Sequence, residues 1–439
     1  MKLHIENIAK IKKADIDING ITVIAGENNT GKSTVGKVLY CLFNSFYDIS
    51  SKIKKNRKDA FINIIMDLGY YNDEQNDYDY FINIGSSDFE DMYEEICEVF
   101  ESRKASDENE NLVLNEVSNI LNTYCMPEDM KEQINFLDIA LKIKNAFSIT
   151  DDQIRKNHVL KTFDLEFNKD FYPVEDDIPI IPMVSLQIQN QGIDLNFSNN
   201  NNVISVEEIK RFLPLNTHII YLDNSSIIDD VNVSARYRYS FFKKRNHDFD
   251  MAEKLKYENY KNIVDEEILQ NKINLLKNKI VDTIHGTFVT ENNQIKFKEE
   301  GVSKAHLINN LSMGIKSFAI LLRLLDNNYI EPGACIILDE PEVHLHPKWQ
   351  LKYAELLVLL QANMESHILI NSHSPYFINA IEQYSKKYKI SNICKYYLAD
   401  VNDNHKSIFE DVSQNVGKIY DKLAEPFDEL DAILDEDVK

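Results

Sequence analysis

The 439-residue chain is short of positive charge: 48 Lys and Arg face 71 Asp and Glu, for a formal net charge of −23 at pH 7. That deficit argues against a wholly basic nucleic-acid coat, while leaving room for a local basic groove. Cysteine is sparse as well. Cys41, Cys97, Cys125, Cys335 and Cys394 lie far apart, with no CxxC pair. Neither a disulfide framework nor a zinc site is indicated, and reduced, buried thiols of a cytoplasmic protein are expected. No apolar run approaches the roughly 20 residues that a membrane span needs. The opening MKLHIENIAKIKKADIDI alternates polar and apolar residues, as a strand does, and lacks the apolar core of a signal peptide. Secreted, membrane and small-scaffold classes are therefore not expected.

What is present suits a large globular protein. Hydrophobic residues make up 44% and charged residues 27%, and the length fits two lobes or one lobe carrying an insertion. Strands are expected at Lys2–Ile8, Ala14–Ile18 and Ile21–Ala25, with Asn19-Gly20 reading as a hairpin turn between the last two. A glycine-rich loop and a helix from Lys32 to about Phe46 follow. The basic run Ser50–Lys58 and the acidic, aromatic-rich stretch Tyr70–Glu110 mark a shift in composition, hence an insertion, mainly helical by the spacing in Asn111–Leu121 and Glu132–Phe147. Strand-like patterns are expected over 160–222, including Ile178–Ile188 and Ile219–Leu222. One long helix is expected over Met251–His285, where apolar residues recur at helical spacing. After Asn309, helices and strands alternate. The expected parts are 1–50 and 301–400 as the two pieces of an α/β head, 51–160 as the insertion, 161–250 as a β-rich part of the head, 251–300 as the long helix with connecting strands, and 401–439 as an acidic tail ending in an exposed helix.

Gly26-Glu27-Asn28-Asn29-Thr30-Gly31-Lys32-Ser33 fits GxxxxGK[ST] between a strand and a helix. Its glycines let backbone amides and the helix dipole converge on a phosphate chain. Lys32 would reach the β- and γ-phosphates and Ser33 would ligate Mg²⁺. Cys335-Ile336-Ile337-Leu338-Asp339-Glu340 reads as a buried parallel strand ending in two carboxylates. Asp339 suits the magnesium shell, and Glu340 the orientation or deprotonation of an attacking water; alone, such a pair also fits a solvated strand end. Leu311-Ser312-Met313-Gly314 opens a helix over Ile315–Leu325 and serves either as an anion site or as an ordinary N-cap. Ile368–Pro375 runs a strand into His373, either a donor to the γ-phosphate or a structural loop histidine. His344 and His346 form an HxH pair with no third ligand at sensible spacing.

The ordered set GENNTGKS, LSMG, CIILDEPEVHLHP and NSHSP resembles the ABC-type ATPases, and within them the SMC, RecF and OLD branch. The resemblance covers the first 45 residues and about residues 305–380. It implies an α/β P-loop head with an N-terminal antiparallel β subdomain and a largely helical insertion, binding ATP and Mg²⁺. It places Gly26, Asn28, Asn29, Thr30, Gly31, Lys32, Ser33 and Thr34 around the nucleotide, with Ser33 and Asp339 at the metal. Lys32, Glu340 and His373 become the catalytic groups, Ser312 and Gly314 the signature, and Glu342 to His346 the D-loop region at a dimer interface. The Q-loop residue cannot be chosen among Gln187, Gln189 and Gln191. In the family, two heads bind two ATP molecules head-to-tail, so self-association is implied.

Only 64 residues follow Pro375, too few for the Toprim domain of OLD-type nucleases, so no intrinsic nuclease is expected. A head of this kind resembles ATPase subunits of prokaryotic anti-phage systems such as Septu and PARIS, which implies a separate effector protein, typically a nuclease. The competing class is a RecF- or SMC-like DNA-repair ATPase. Its candidate DNA contacts are Arg236, Arg238, Lys243, Lys244 and Arg245, interleaved with aromatics; the same stretch also suits an internally packed loop. A transport ATPase is disfavoured because 280 positions separate Lys32 from Ser312.

Overall fold

The computed structural model describes residues 1–66, 71–72, 79–80, 86–103, 110–124, 135–172, 181–200, 203–232, 246–259, 263–292 and 294–436. They form two compact units, one of residues 1–47 and 156–439, the other of residues 48–155. The first unit is a mixed α/β structure on one eleven-stranded sheet. Its strands are Lys2–Ile8 (β1), Ile11–Asp17 (β2), Ile21–Gly26 (β3), Met183–Ile188 (β6), Gln191–Asn200 (β7), Val203–Arg211 (β8) and Ile219–Leu222 (β9). Cys335–Asp339 (β13), His367–Ser372 (β14), Lys395–Val401 (β15) and Ser407–Asp411 (β16) complete it. The spatial order is β8-β7-β6-β1-β2-β16-β15-β3-β14-β13-β9. Neighbours from β15 to β9 run parallel, and those from β8 to β2 antiparallel. A small sheet of Gly286–Glu291 (β10), Gln294–Glu299 (β11) and His306–Leu307 (β12) lies apart from it.

The parallel strands are largely apolar at their centres because both faces are covered. Val23, Ile220, Leu222, Ile336, Leu338, Ile368 and Ile370 join one core. It includes residues of the helices Met313–Asp326 (α9), Pro347–Met364 (α10) and Pro375–Lys387 (α11). Ile24, Tyr221, Ile337 and Leu369 join the other with Val35, Val38 and Leu39 of the helix Lys32–Phe46 (α1). The helix Gly417–Glu436 (α12) closes the described chain.

Several expectations are corrected. Asn19-Gly20 makes no hairpin, for β16 and β15 lie between β2 and β3. A strand buried on both faces belongs inside the parallel layer, and Gly20 O instead accepts from Ile368 N at 2.8 Å. The long helix over 251–285 is two, His247–Lys256 (α7) and Ile263–Ile284 (α8). Tyr257 is extended and ends the first, although Met251, Leu255, Ile273, Leu276, Ile280 and Ile284 share one core. Residues 160–167 are not strand. They finish the helix Asp151–Phe167 (α6), where Val159 and Phe163, four apart, are buried beside Phe171 and Phe197. The second strand starts earlier, at Ile11, and the strand expected over 178–188 is described only from Met183.

Among the described residues, the regular structure of the second unit is helical apart from Tyr71–Asn72 (β4) and Asp79–Tyr80 (β5). Its helices are Ile49–Met66 (α2), Ser86–Arg103 (α3), Glu110–Tyr124 (α4) and Phe136–Ser148 (α5). Phe61, Met92, Ile96, Val117, Leu121, Ile139 and Ile143 give it a core of its own.

One ionic cluster ties three helices of the head together. Glu355 on α10 accepts from Lys279 Nζ of α8 at 2.7 Å, from Lys387 Nζ of α11 at 2.9 Å and from the Tyr388 hydroxyl at 2.6 Å. Burial alone would raise its pKa, but these donors outweigh it and hold the carboxyl at about 2. A depressed carboxylate stabilises the fold above its unfolded value of 4.5, and that contribution is lost as pH falls toward 2. Glu355→Gln is expected to lower stability by about 1–3 kcal/mol at neutral pH and to flatten the acid side of the profile. Urea midpoints between pH 2 and 7 check this; an unchanged acid limb would remove Glu355 from it.

Candidate functional site

The site begins where β3 ends. At Gly26, φ is 155° and a Cβ would meet Ala399 O of β15 at 2.2 Å, so only glycine lets the chain leave the sheet here. Gly31 has φ 85° and precedes α1. Between them the loop is stitched by its own side chains. Thr30 Oγ1 donates to Glu27 O at 2.8 Å, and Asn29, at φ 64°, accepts from Lys10 Nζ at 2.7 Å. Asn28 is exposed and Thr34 half-buried. Lys32 is buried, its ammonium donating to Gly26 O at 2.9 Å and Glu27 O at 2.6 Å across the loop. Burial lowers its pKa, against the pull of Glu340, Asp339 and Glu342. A buried cation thus sits at the N-terminus of α1, where free backbone amides and the helix dipole favour a phosphate.

The carboxylates arrive from the next strands. Asp339 ends β13, where burial raises its pKa and the Ser33 and Asn371 side chains pull it back. Its Oδ2 accepts from the Tyr221 hydroxyl at 3.4 Å, while its buried Oδ1 has no hydrogen-bond partner. An orphaned carboxylate oxygen beside an exposed serine fits a hard divalent cation such as Mg²⁺. Glu340 follows with φ 49°, a left-handed turn that costs a non-glycine residue about 1–3 kcal/mol. Its amide donates to Asn371 O at 2.8 Å, and the turn leaves its carboxylate half-exposed, with Oε1 3.0 Å from His373 Nδ1. Lys32, Ser33, Asp339, Glu340 and His373 therefore cluster at the ends of β3, β13 and β14.

Ser312 and Gly314 belong to a different corner. Ser312 is exposed and caps α9, its Oγ accepting from Ile315 N at 3.4 Å. Gly314 is buried, and a Cβ there would come within 3.1 Å of the Trp349 ring and 3.4 Å of His344 O. The HxH pair is likewise structural in part: His346 caps α10, its Nδ1 accepting from Lys348 N at 3.3 Å ahead of Pro347. Arg236, Arg238, Lys243, Lys244 and Arg245 lie outside the described residues. Gln187, Gln189 and Gln191 sit on the β6–β7 hairpin in the antiparallel wing.

Asn371 and Tyr221 escaped sequence reading, and Glu342, expected only as the start of the D-loop region, lies buried beside the same cluster. Asn371, fully buried on β14, donates to Lys32 O at 3.1 Å and ties the phosphate loop to the next strand. Glu342 is buried and accepts from Ser372 Oγ; burial pushes its carboxyl up, and its Oε2 is unpartnered. Tyr221 on β9 reaches Asp339 from across the strand pair. The Asn371-Ser372 pair inside NSHSP was the signal available for Asn371; nothing local marked Tyr221.

Fold and site together define a P-loop ATPase core on a mixed α/β sheet. Residues 1–378 match the family described as AAA ATPase domain, and the chain belongs to that family. Its structure is also similar to three solved SMC heads at low identity. The SMC head domain from Thermotoga maritima has 11% identity and a TM-score of 0.38, with 94% of this chain and 98% of that one covered. An SmcHead bound to the C-winged helix domain of ScpA has 12% identity and 0.39, covering 95% and 98%. A Pyrococcus furiosus Smc head with an extended coiled coil, bound to the C-terminal domain of ScpA, has 11% and 0.38, covering 96% and 98%. No curated protein matches the sequence. Among the described residues, no helix is long and apolar enough to cross a membrane.

Proposed function

We propose that the chain binds ATP with Mg²⁺, hydrolyses it, and uses it to hold two copies head-to-tail. The observation that carries the reading is the pairing of Glu340 Oε1 with His373 Nδ1 at 3.0 Å, beside the buried Lys32 and the half-buried Asp339. Lys32 steadies the β- and γ-phosphates; Ser33 and Asp339 hold Mg²⁺, which neutralises phosphate charge. Glu340 aligns and deprotonates water, and His373 orients Glu340 and donates toward the γ-phosphate. Ser312 stands exposed at a helix N-terminus, where its hydroxyl and the helix dipole suit a γ-phosphate presented by the other copy.

In this reading the ATP-dependent assembly is a regulatory switch for a separate effector in anti-phage defence, by resemblance to the ATPase subunits of such systems. The test is the native mass of the Glu340→Gln protein, with and without ATP and Mg²⁺, after expression alongside the products of neighbouring genes. A complex holding a second polypeptide is expected. A bare dimer formed only with ATP would replace the effector reading with that of an autonomous DNA-acting ATPase, and a monomer under all conditions would overturn the assembly step.

A further inference from the structure

Beside the phosphate site, α7 and β9 bring together a cluster that the ATPase reading leaves unused. His247 and Asp248 occupy the first turn of α7, and Asp223 follows β9. His247 Nε2 lies 3.0 Å from Asp223 Oδ2 and 3.4 Å from Asp248 Oδ1, and the three atoms lie within 4.8 Å of one another. Tetrahedral ligation at about 2.0–2.1 Å per bond sets ligand–ligand distances of about 3.3 Å. The two measured separations bracket that value.

The surroundings are built as they would be for a metal. A ligating histidine gives its other ring nitrogen to a carboxylate that fixes the tautomer and ring orientation. His247, 4% exposed, has Nδ1 2.7 Å from Oε1 of Glu166, itself 3% exposed, and Glu166 Oε2 also accepts from the His247 amide at 3.2 Å. Asp248 Oδ2 is held by Asn246 Nδ2 at 3.0 Å, which leaves Oδ1 turned to the imidazole. Glu166, Asp223 and Asp248 are balanced nearby by Lys37, 3.8 Å from Glu166 Oε1. Burial would lower the His247 pKa, but the hydrogen bonds to Asp223 and Glu166 raise it to about 10. A dication must therefore displace the Nε2 proton; once it does, the group carries two surplus negative charges, which the dication cancels. Asp223 is exposed, so the corner is open to solvent for entry and for a water in the fourth position.

We infer that His247, Asp223 and Asp248 form a binding site for a divalent transition-metal ion, with Zn²⁺ the best match, oriented by Glu166 and distinct from the magnesium position at Ser33 and Asp339. One imidazole with two carboxylates favours a borderline cation over Mg²⁺ or Ca²⁺. The site is also wired to the nucleotide corner. The His247 ring stacks on Tyr221 with centroids 4.3 Å apart at 27°, and Tyr221 donates to Asp339.

The test uses the full chain, stripped with a chelator and titrated with Zn²⁺ alone by calorimetry, no nucleotide present, with Co²⁺ visible absorption reporting coordination geometry. One site per chain is expected, with tetrahedral Co²⁺ bands. Asp248→Asn, at a half-exposed position, should abolish it, and Glu166→Gln should weaken it about 10- to 100-fold. Ser33→Ala and Asp339→Asn should leave it intact. Thermal unfolding and ATP binding of each variant separate loss of the site from loss of the fold. No Zn²⁺ binding, or binding indifferent to Asp248→Asn and His247→Gln, would overturn the site and leave a charge-paired histidine. Loss on Ser33→Ala instead would place the ion at the nucleotide. Because no ATP is needed, failure of the hydrolysis reading leaves this result unaffected.

Discussion

Glu340→Gln is expected to slow ATP turnover by about 10²- to 10⁴-fold, the usual worth of a positioned general base, while ATP binding survives. Glutamine keeps the shape of the side chain and can still meet His373 Nδ1, 3.0 Å away in the native pair, but it cannot take a proton from water. The left-handed φ of 49° supports the same role. Strain of about 1–3 kcal/mol is retained where it aims a functional group, here a carboxylate turned out of the β13 strand line. Phosphate release under single turnover, set beside equilibrium binding of ATP, separates the two effects. Turnover within a factor of about three of the parent would remove Glu340 from the chemistry.

Lys32→Ala is expected to weaken ATP binding by about 10- to 150-fold, equivalent to the 1.5–3 kcal/mol of a charge-assisted hydrogen bond. Its ammonium lies buried under the loop, already positioned by Gly26 O and Glu27 O, so little conformational freedom is lost when phosphate arrives. Its buried position implies a second consequence. Alanine leaves those two carbonyls without their donor, so the apo protein should unfold at lower temperature, whereas ATP should protect the parent far more than the variant. Fluorescence binding of ATP and melting curves with and without it are the measurements. Unchanged affinity would refute the assigned role of the loop.

Short-range chemistry was legible because it is carried by neighbours. The cradle from Gly26 to Ser33 is eight consecutive residues between a strand and a helix, and phosphate recognition there depends on backbone amides close in sequence. The run Cys335–Asp339 was readable for a similar reason: apolar residues without alternation imply burial on both faces, and the carboxylates must then emerge at its end. Asn19-Gly20 misled. Its local turn preference is real, with Gly20 at φ 58°, but the pairing of the strands it joins is decided by which faces must be covered. Helix spacing over 251–285 was read correctly as apolar periodicity and wrongly as continuity, since the extended break at Tyr257 leaves the buried residues of both helices in the same core.

The sequence by itself determined the class of the protein and marked the loop proposed to hold phosphate, because strand, loop and helix are local and their motif is contiguous. Tertiary structure alone decided what surrounds them. Placing β14 between β3 and β13 brings Asn371 to Lys32 and His373 to Glu340, across 339 and 33 positions. Laying β9 beside β13 brings Tyr221 to Asp339. The packing of α6 and α7 beside that edge joins Glu166, Asp223 and His247 into one cluster. The motif resemblance had grouped Lys32, Glu340 and His373, but nothing in residue type or spacing implied Tyr221 beside Asp339 or Glu166 beside His247. These neighbours follow from the strand order that buries both faces of a parallel sheet, a choice made by the whole core.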